Sequence, residues 1–416
     1  MRCSTGARRS PLTGRVARRG PDGCLPAGPV GEPNEVRGPV PTSERPARAT
    51  AAVPRTLLPF SLLLFAAVRV LCLVTLAVWA GAEGRSAHKV LAERWDSLWY
   101  VRVVEHGYDF TLTAPDGRVL SDRAFFPLLP WLEKAGHGLT GLAPQDVGLG
   151  VSALASLAAA WAIHRIAARL YGERAALFAV ALWAVLPVSV VQSMAYSESL
   201  FTALAAWSLW SLLRERWLSA GLLASAAGLT RPVGLAVVLA VWGAAWAGRR
   251  LTWRVAAGCV LAPLGAAGYV LWSGLRSGHG PFGYLDVQGD WGNGFDGGLA
   301  FARFLGDLLS GPGFAGGIGL IIGVAALLWL YVRGIRQGQP LPLVLYTGVV
   351  LLLALCTSGF FGSKPRLLLP AFPLLFPLAL ALSRLHHRRT AWLVVTAAAA
   401  LAAAYGAFWL LGSGPP

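Results

Sequence analysis

The apolar run LPFSLLLFAAVRVLCLVTLAVWA occupies residues 58–80 and is interrupted by one charged side chain, Arg69. A helix of about 20 apolar residues crosses the hydrocarbon core of a bilayer, so this run predicts a first membrane span near 56–80. Similar runs recur along the 416-residue chain, which is 55% hydrophobic and 13% charged. This composition is too apolar for a soluble globular protein and predicts an all-α, polytopic membrane protein.

Further apolar runs predict about eleven spans in total, and the Arg residues between them set their orientation. They lie near 147–164, 174–192, 197–213, 217–229, 232–247, 252–273, 315–333, 341–358, 365–383 and 391–411. Arg clusters favour cytoplasmic loops, which places the N-terminus inside and the C-terminus outside. The two large loops, 81–146 and 274–314, are then extracytoplasmic.

One pair of runs is too short for two ordinary spans and predicts a hairpin. Runs 217–229 and 232–247 have Arg residues at both outer ends, so the chain must cross an even number of times between them. The turn falls at Thr230-Arg231-Pro232, because Pro232 disfavours helical geometry at Arg231. We therefore expect Arg231 to lie below the outer surface, at the floor of a cavity.

The net charge of +16 does not indicate nucleic-acid binding, because much of the excess lies in residues 1–55, beside the first span. Pro, Gly, Arg and Ser dominate this segment, which predicts a disordered basic cytoplasmic tail. Residues 56–411 then form the membrane domain, and 412–416 form a short outer tail. No pair of cysteines falls in an extracytoplasmic loop, so we expect neither a disulfide nor a thiol metal site.

The first large loop contains Trp95-Asp96-Ser97-Leu98-Trp99-Tyr100, one acidic residue among aromatic ones. Residues 93–106 predict a helix that ends at Gly107. The density of Trp and Tyr suits a helix that lies in the headgroup plane. Asp96 projects away from the apolar stripe of this helix. It is either a catalytic carboxylate or a surface acid that caps the helix or pairs with Arg94.

Four cations are candidates for binding a phosphate: Arg69, Arg231, Lys364 and Arg366. Arg69 lies near the middle of the first span, where a charge costs roughly 2.5–3.5 kcal/mol and needs a partner or a wet cavity. The other three face the outer side in the predicted topology, and Arg offers a bidentate fork to phosphate. The structural alternatives are an acidic partner for Arg69 and extension toward the headgroups for the others.

Three further residues are candidate substrate contacts. Glu198 begins the fourth predicted span, where a carboxylate can also serve only as a favourable charge in a first helical turn. Gln288 and Trp291 belong to the run 288–295, QGDWGNGF, which either stacks on a sugar ring or forms a flexible outer loop. The sequence has no Walker, dinucleotide-binding, HExxH or GxSxG motif, which disfavours nucleotide-driven transport.

Several motifs resemble, in the same order, those of the PIG-V family of mannosyltransferases, over roughly residues 57–383. They are the Trp95–Tyr100 run, His106-Gly107-Tyr108, Ala124-Phe125-Phe126-Pro127-Leu128-Leu129-Pro130, Ser197-Glu198-Ser199-Leu200-Phe201 and Leu229-Thr230-Arg231-Pro232. The resemblance implies a GT-C type glycosyltransferase fold whose large first outer loop carries amphipathic helices. It also implies a polyprenyl-phosphate sugar donor and a catalytic acid in that loop, a position that Asp96 matches.

The function that the resemblance implies is an inverting mannosyltransferase of a bacterial plasma membrane, related to the enzyme that adds the second mannose of the GPI anchor. Asp96 would be the general base, and the acceptor would be a hydroxyl of an unidentified lipid, glycan or protein. The substrate contacts expected within the motifs are Trp95, Tyr100, His106, Arg123 and Glu198. Eukaryotic family members carry acidic residues before the Ala124 run, whereas this chain has Asp122-Arg123, which leaves the role of Asp122 open.

The sequence demands no cofactor and leaves two other classes of function open. Asp96, Glu198 and Asp122 offer oxygen ligands for Mg²⁺ or Mn²⁺, but their spacing does not require a metal. A lipid or solute transporter is one alternative, although the chain shows no internal repeat. A non-catalytic membrane subunit of a glycosylation complex is the other.

Overall fold

The computed structural model of the chain describes residues 56–249 and 251–412. Within these residues the protein is mainly helical, and the one sheet among them is a two-stranded hairpin in the first large loop. The predicted tail 1–55 and nearly all of the predicted outer tail 412–416 lie outside the described residues.

Helix α1 spans Leu58–Ala82, and the first large loop after it is well structured. Pro59 occupies the first turn of α1, where a missing N–H costs no helical hydrogen bond. The loop contains α2 Ala87–Ala92, α3 Asp96–His106, β1 Thr111–Thr113, β2 Val119–Ser121, a 3₁₀ turn Asp122–Ala124 and α4 Leu128–Thr140. The strands pair antiparallel, with Thr111 opposite Ser121.

The central helices include the predicted hairpin. They are α5 Pro144–Tyr171, α6 Glu173–Ala184, α7 Glu198–Leu213, α8 Trp217–Gly228, α9 Leu235–Gly248, α10 Trp253–Leu261 and α11 Leu264–Ser277. Between α8 and α9, Arg231 is extended, with φ −159° and ψ 152°, and a 3₁₀ turn Pro232–Gly234 follows. This is the backbone geometry that a following proline favours, so the turn predicted at Arg231 is confirmed.

The last third of the chain carries the second large loop and five further helices. In order, the elements are α12 Gly283–Asp290, α13 Leu299–Ser310, α14 Phe314–Arg336, α15 Leu341–Cys356, α16 Lys364–Leu367, α17 Phe376–Arg384 and α18 Arg388–Leu411. A bridge between Phe295 and Thr357 attaches the second large loop to the end of α15.

The predicted span over 174–192 is not one straight helix. Helix α6 ends at Ala184, and the chain turns by 84° into a 3₁₀ helix, Pro187–Ser193. Pro187 lacks the N–H that would continue the helix, and its ring crowds the preceding turn. The break leaves carbonyl groups without helical partners inside the protein, and these need other donors.

The predicted span over 365–383 is likewise bent. A bend of 74° separates the helical segment 361–367 from the segment 372–384. Pro370 and Pro373 fall at this bend and prevent a regular helix. Buried side chains satisfy the carbonyls that the bend releases: Trp183 Nε1 donates to Leu369 at 3.0 Å, and the Tyr346 hydroxyl donates to Pro370 at 3.0 Å.

The number of membrane spans depends on how the broken and short helices are counted. Five helices among the described residues are long and apolar enough to cross a bilayer, or up to seven if each bent pair forms one span. Three more apolar helices are shorter: Trp217–Gly228, Pro232–Gly248 and Leu341–Cys356. This architecture fits a multi-pass membrane protein, and the count of about eleven stays a prediction.

Glycines let α8 pack closely against α10 and α11. A Cβ atom added at Gly265 would collide with the carbonyl oxygen of Ser225, and one added at Gly258 would lie 2.6 Å from the carbonyl oxygen of Trp217. Close backbone approach through small residues is a common way for membrane helices to associate, because lipid supplies no hydrophobic drive between them. This contact holds the α8–α9 hairpin, and with it Arg231, in place.

Replacing Gly265 with Ala should destabilise the protein by about 1–3 kcal/mol, because the new methyl group overpacks the contact with α8. Gly268 lies on the same helix, and nothing lies within 4 Å of a Cβ added there. Gly268→Ala should therefore be neutral or slightly stabilising. Thermal unfolding of the two variants in the same detergent measures the difference, and equal midpoints would refute the packing argument.

Glu133 on α4 is fully buried, and neither of its carboxylate oxygens has a hydrogen-bond partner among the described residues. Its carboxyl group lies against Gly148 at the start of α5. Burial raises the pKa of Glu133 from 4.5 to about 9, because the charged form is poorly solvated there. Glu133 is therefore a neutral acid at pH 7.

The free energy of unfolding should fall as the pH rises from about 5 to about 9, by up to about 1.4 kcal/mol per pH unit, because folded Glu133 holds a proton that the unfolded chain releases. Glu133→Gln should remove this dependence and unfold at a higher temperature than wild type at pH 8. Glu105→Gln, a change at an exposed residue, should leave this pH dependence of the unfolding free energy unchanged. Unfolding midpoints at pH 6 and pH 8 provide the measurement, and an unchanged slope in Glu133→Gln would contradict the assignment.

Candidate active site

Asp96 is the first residue of α3, which begins later than the predicted start at residue 93. Trp95 just before it has a φ of 53°, so the chain turns sharply into the helix. The Arg94 guanidinium covers the Trp95 ring at 3.9 Å and donates to the Leu410 carbonyl at 2.7 Å. Arg94 thus contacts the end of α18, while Asp96 has a different cationic partner.

Asp96 belongs to a cluster of four charged side chains. Its Oδ2 lies 2.7 Å from Nη1 of Arg366. The Nε of Arg366 lies 3.7 Å from Oε1 of Glu198, and Nη1 of Arg231 lies 2.6 Å from the same oxygen. The exposed fractions are 18% for Asp96, 10% for Arg366, 14% for Arg231 and 1% for Glu198. Two carboxylates therefore balance two guanidiniums, the condition under which buried charges are tolerated.

Each charged residue of this cluster lies where a helix begins or breaks. Asp96 and Glu198 are the first residues of α3 and α7, Arg231 lies in the turn between α8 and α9, and Arg366 lies on the short α16. Carboxylates are favoured at helix starts by the helix dipole. Irregular backbone inside a membrane protein is tolerated where it lines a polar site, and here it brings distant segments to one place.

Tyr196 supports both ends of the Asp96–Arg366 ion pair. Its hydroxyl accepts the backbone N–H of Asp96 at 3.3 Å, and its ring lies 5.2 Å from the guanidinium carbon of Arg366. The sequence reasoning assigned no role to Tyr196. The available signal was its position directly before the Ser197–Phe201 motif that contains Glu198.

Tyr100 and Ser197 connect α3 to the hairpin turn. The Tyr100 hydroxyl lies 2.9 Å from Oγ of Ser197, which in turn accepts a hydrogen bond from Arg231 at 3.2 Å. Burial raises the pKa of Tyr100, so its hydroxyl stays protonated. The predicted site residues Asp96, Tyr100, Glu198, Arg231 and Arg366 are thus brought together, and Ser197 is a member that the sequence reasoning missed.

Arg69 lies outside the cluster, contrary to its expected place among the phosphate-binding cations. Its guanidinium donates to the carbonyls of Ala184 and Ser189 and, at 2.8 Å, to the Ser189 hydroxyl. These groups lie at the break after α6. The partners of Arg69 are therefore backbone carbonyls at a helix break, and neither a phosphate nor an acidic side chain.

Lys364 also lies outside the cluster and binds backbone carbonyls at the end of α15. Its Nζ donates to the carbonyls of Ala354 at 3.0 Å and Thr357 at 2.5 Å, and it lies 5.2 Å from the centre of the Phe361 ring. A cation at the end of α15 satisfies carbonyl groups that have no helical partner there. This geometry makes Lys364 a cap on α15, and its ammonium does not contact the four-residue cluster.

Gln288 and Trp291 join the two large loops. The Gln288 side chain donates to the carbonyl of Ala124 at 3.1 Å, and Trp291 Nε1 donates to the carbonyl of Ser121 at 2.9 Å. The Trp291 ring also packs edge-on against Trp99, with centroids 4.9 Å apart. These contacts join the segment to the first large loop at Ser121 and Ala124.

His106 is exposed on the first large loop, and Arg123 is half-buried there. The His106 ring is 70% exposed at the end of α3, and its Nδ1 lies 3.9 Å from the Glu105 carboxylate. Arg123 pairs with the exposed Asp109 at 3.1 Å. Neither side chain contacts the four-residue cluster within the described residues.

The three carboxylates considered as metal ligands do not form one site. Asp122 is buried and accepts the backbone N–H of Phe110 at 3.2 Å, and burial raises its pKa. Asp96 and Glu198 are paired with guanidiniums. No group of three His, Cys, Asp or Glu side chains in the described ranges is arranged to hold a metal ion.

Comparison with known proteins gives a partial family match and a structural match. Residues 122–272, less than half of the chain, match the family described as dolichyl-phosphate-mannose-protein mannosyltransferase. No curated protein sequence matches the chain significantly. The crystal structure of ArnT from Cupriavidus metallidurans bound to undecaprenyl phosphate is 18% identical, with a TM-score of 0.53 over 83% of this chain and 64% of ArnT.

A second structure, the apo oligosaccharyltransferase of Archaeoglobus fulgidus, is 14% identical, with a TM-score of 0.49 over 85% of this chain and 56% of that protein. The chain thus spans less than two thirds of the length of either protein. At this level of identity, the likeness to ArnT bears on the fold alone. It confirms the predicted fold class: the described residues are mainly helical and have a GT-C type fold, that of a polytopic membrane protein.

Proposed function

We propose that the protein is an inverting glycosyltransferase that moves mannose from a polyprenyl-phosphate carrier to a hydroxyl acceptor on the extracytoplasmic side of a bacterial plasma membrane. The observation that carries this proposal is the Asp96 carboxylate 2.7 Å from Arg366, with Arg231 joined to the pair through Glu198. A carboxylate beside two guanidiniums supplies a proton acceptor and a binding place for a phosphate leaving group.

Both the cations and the fold support a polyprenyl-phosphate donor. Arg presents a planar fork of N–H donors that matches phosphate oxygens. The structurally similar ArnT was crystallised with undecaprenyl phosphate, and the family matched by residues 122–272 is named for dolichyl-phosphate-mannose. The PIG-V-like motifs support mannose as the sugar, and membership of that subfamily is part of the proposal.

The reaction replaces one bond at the anomeric carbon with another. The acceptor oxygen attacks this carbon from the face opposite the phosphate, and its proton passes to the Asp96 carboxylate. The bond between the anomeric carbon and the phosphate oxygen breaks, and its electron pair leaves with polyprenyl phosphate. Arg366 and Arg231 stabilise the additional negative charge on that group.

The Asp96–Arg366 ion pair has to open during this reaction. A donor phosphate that binds the Arg366 guanidinium takes the place of the Asp96 carboxylate. The carboxylate is then free to accept a proton from the acceptor hydroxyl. Donor binding therefore precedes deprotonation of the acceptor, and the proton gained by Asp96 offsets the charge that develops on the phosphate.

Asp96→Asn should lower sugar transfer by roughly 10²–10⁴-fold, because the amide cannot act as the base. The assay incubates the purified protein with radiolabelled polyprenyl-phosphate-mannose and native lipid and protein extracts, which also identifies the acceptor. Glu105→Gln, an exposed change on the same helix, should transfer at the wild-type rate. Wild-type turnover by a folded Asp96→Asn protein would overturn the role given to Asp96.

Arg366→Lys should raise the donor KM by about tenfold or more, since Lys keeps the charge but loses the fork. Direct binding of undecaprenyl phosphate in nanodiscs should weaken in parallel. Arg303→Lys changes an exposed Arg in the second large loop and should leave both values unaltered. Unchanged donor KM and phosphate affinity in Arg366→Lys would exclude Arg366 from phosphate binding.

A further inference from the structure

Glu198 is the least exposed member of the charged cluster and the residue that contacts both guanidiniums. Its Oε1 lies 2.6 Å from Nη1 of Arg231 and 3.7 Å from Nε of Arg366, and the side chain is 1% exposed. Among the described residues, no other acidic side chain forms an ion pair with both cations. Asp96 reaches Arg366 alone, and Ser197 reaches Arg231 alone.

The two cations would separate without a shared counter-charge. They belong to segments far apart in sequence, the α8–α9 turn and α16, and like charges in a site of low dielectric repel each other strongly. A carboxylate placed between them cancels this repulsion and fixes the distance between the two forks. Each guanidinium has five N–H donors, so contact with Glu198 leaves donors for another anion.

The position of Glu198 argues against direct contact with the sugar acceptor. Its neighbours on the first turn of α7, Ser199, Phe201 and Thr202, are buried, so this helix start faces protein and not an open surface. The Glu198 carboxylate therefore acts on the bound phosphate only through its contacts with Arg231 and Arg366.

We infer that Glu198 is a positioning residue that holds Arg231 and Arg366 side by side so that one phosphate group accepts hydrogen bonds from both. This inference rests on the proposed transferase function and replaces the expectation that Glu198 binds substrate directly. When a phosphate displaces Asp96 from Arg366, Glu198 remains as the common partner of both cations. The phosphate-binding fork is thus assembled before the donor arrives.

The test is the isosteric variant Glu198→Gln, assayed for donor KM, kcat and undecaprenyl phosphate binding in nanodiscs. The donor KM and the dissociation constant for the phosphate should both rise about tenfold or more, the loss expected when a charge-assisted hydrogen bond is misdirected. The kcat should change much less, because no group that touches the reacting atoms is removed. Arg231→Gln should lower phosphate affinity less in the Glu198→Gln background than in wild type, because Arg231 is already misdirected once Glu198 is lost.

The matched control is Glu173→Gln, since Glu173 is the first residue of α6 as Glu198 is of α7. If Glu198 served only the helix dipole, Glu198→Gln would keep the wild-type phosphate affinity, as Glu173→Gln is expected to do. That result would overturn the inference. A loss of kcat by 10²-fold or more with unchanged donor KM would also overturn it.

Phosphate binding separates failure of this inference from failure of the proposed function. If wild type transfers no sugar but binds undecaprenyl phosphate more tightly than Glu198→Gln does, the transferase proposal fails and the positioning role stands. Should Glu198→Gln fail to fold, Glu198→Asp keeps the charge but is too short to reach both cations. Weakened phosphate binding in that variant would support the inference, and wild-type binding would refute it.

Discussion

The Asp96–Arg366 ion pair is the interaction on which the arrangement of the site depends. A charge removed from water must be paired, and the pair must come with further polar contacts. Glu198 and Arg231 complete the balance, while Tyr196 accepts the backbone N–H of Asp96 and Ser197 accepts a hydrogen bond from Arg231. Because these residues come from four separate segments, the helices that carry them must meet at one point. The need to balance these charges therefore constrains how the four segments pack.

Helix breaks at proline residues allow these segments to come together, and other side chains donate to the carbonyls that the breaks leave free. The turn after α6 and the bend after α16 interrupt the helical hydrogen-bond pattern within apolar surroundings, where free carbonyl groups are costly. Arg69 satisfies the first break, Trp183 and Tyr346 satisfy the second, and Lys364 caps the end of α15. Two of the four candidate phosphate-binding cations therefore bind backbone carbonyls where helices end, Arg69 after α6 and Lys364 at the end of α15. In an apolar interior, a buried cation can bind either a phosphate or free backbone carbonyls.

The two large loops contact each other through aromatic rings and an amide side chain. Trp291 and Gln288 each donate to a backbone carbonyl of the first large loop, and the Trp99 ring stacks on Phe125 with centroids 5.6 Å apart. These side chains have the composition of a sugar-stacking surface, yet here their polar groups hold one loop against the other. The loops thereby give α3 a fixed orientation. Asp96 occupies the first turn of that helix, so its position is set by both loops.

The sequence by itself determined the helical membrane class, the turn at Arg231 and the end of α3 at Gly107. These features depend on local properties: apolar runs, the steric effect of Pro232 and the conformational freedom of glycine. Only the tertiary structure decided that Arg231 and Arg366 share Glu198, while Arg69 and Lys364 bind backbone carbonyls. All four cations looked alike along the chain, because each is a basic residue in or beside an apolar run. Their partners lie on other helices, and pairing between distant segments follows from packing, which local pattern does not encode.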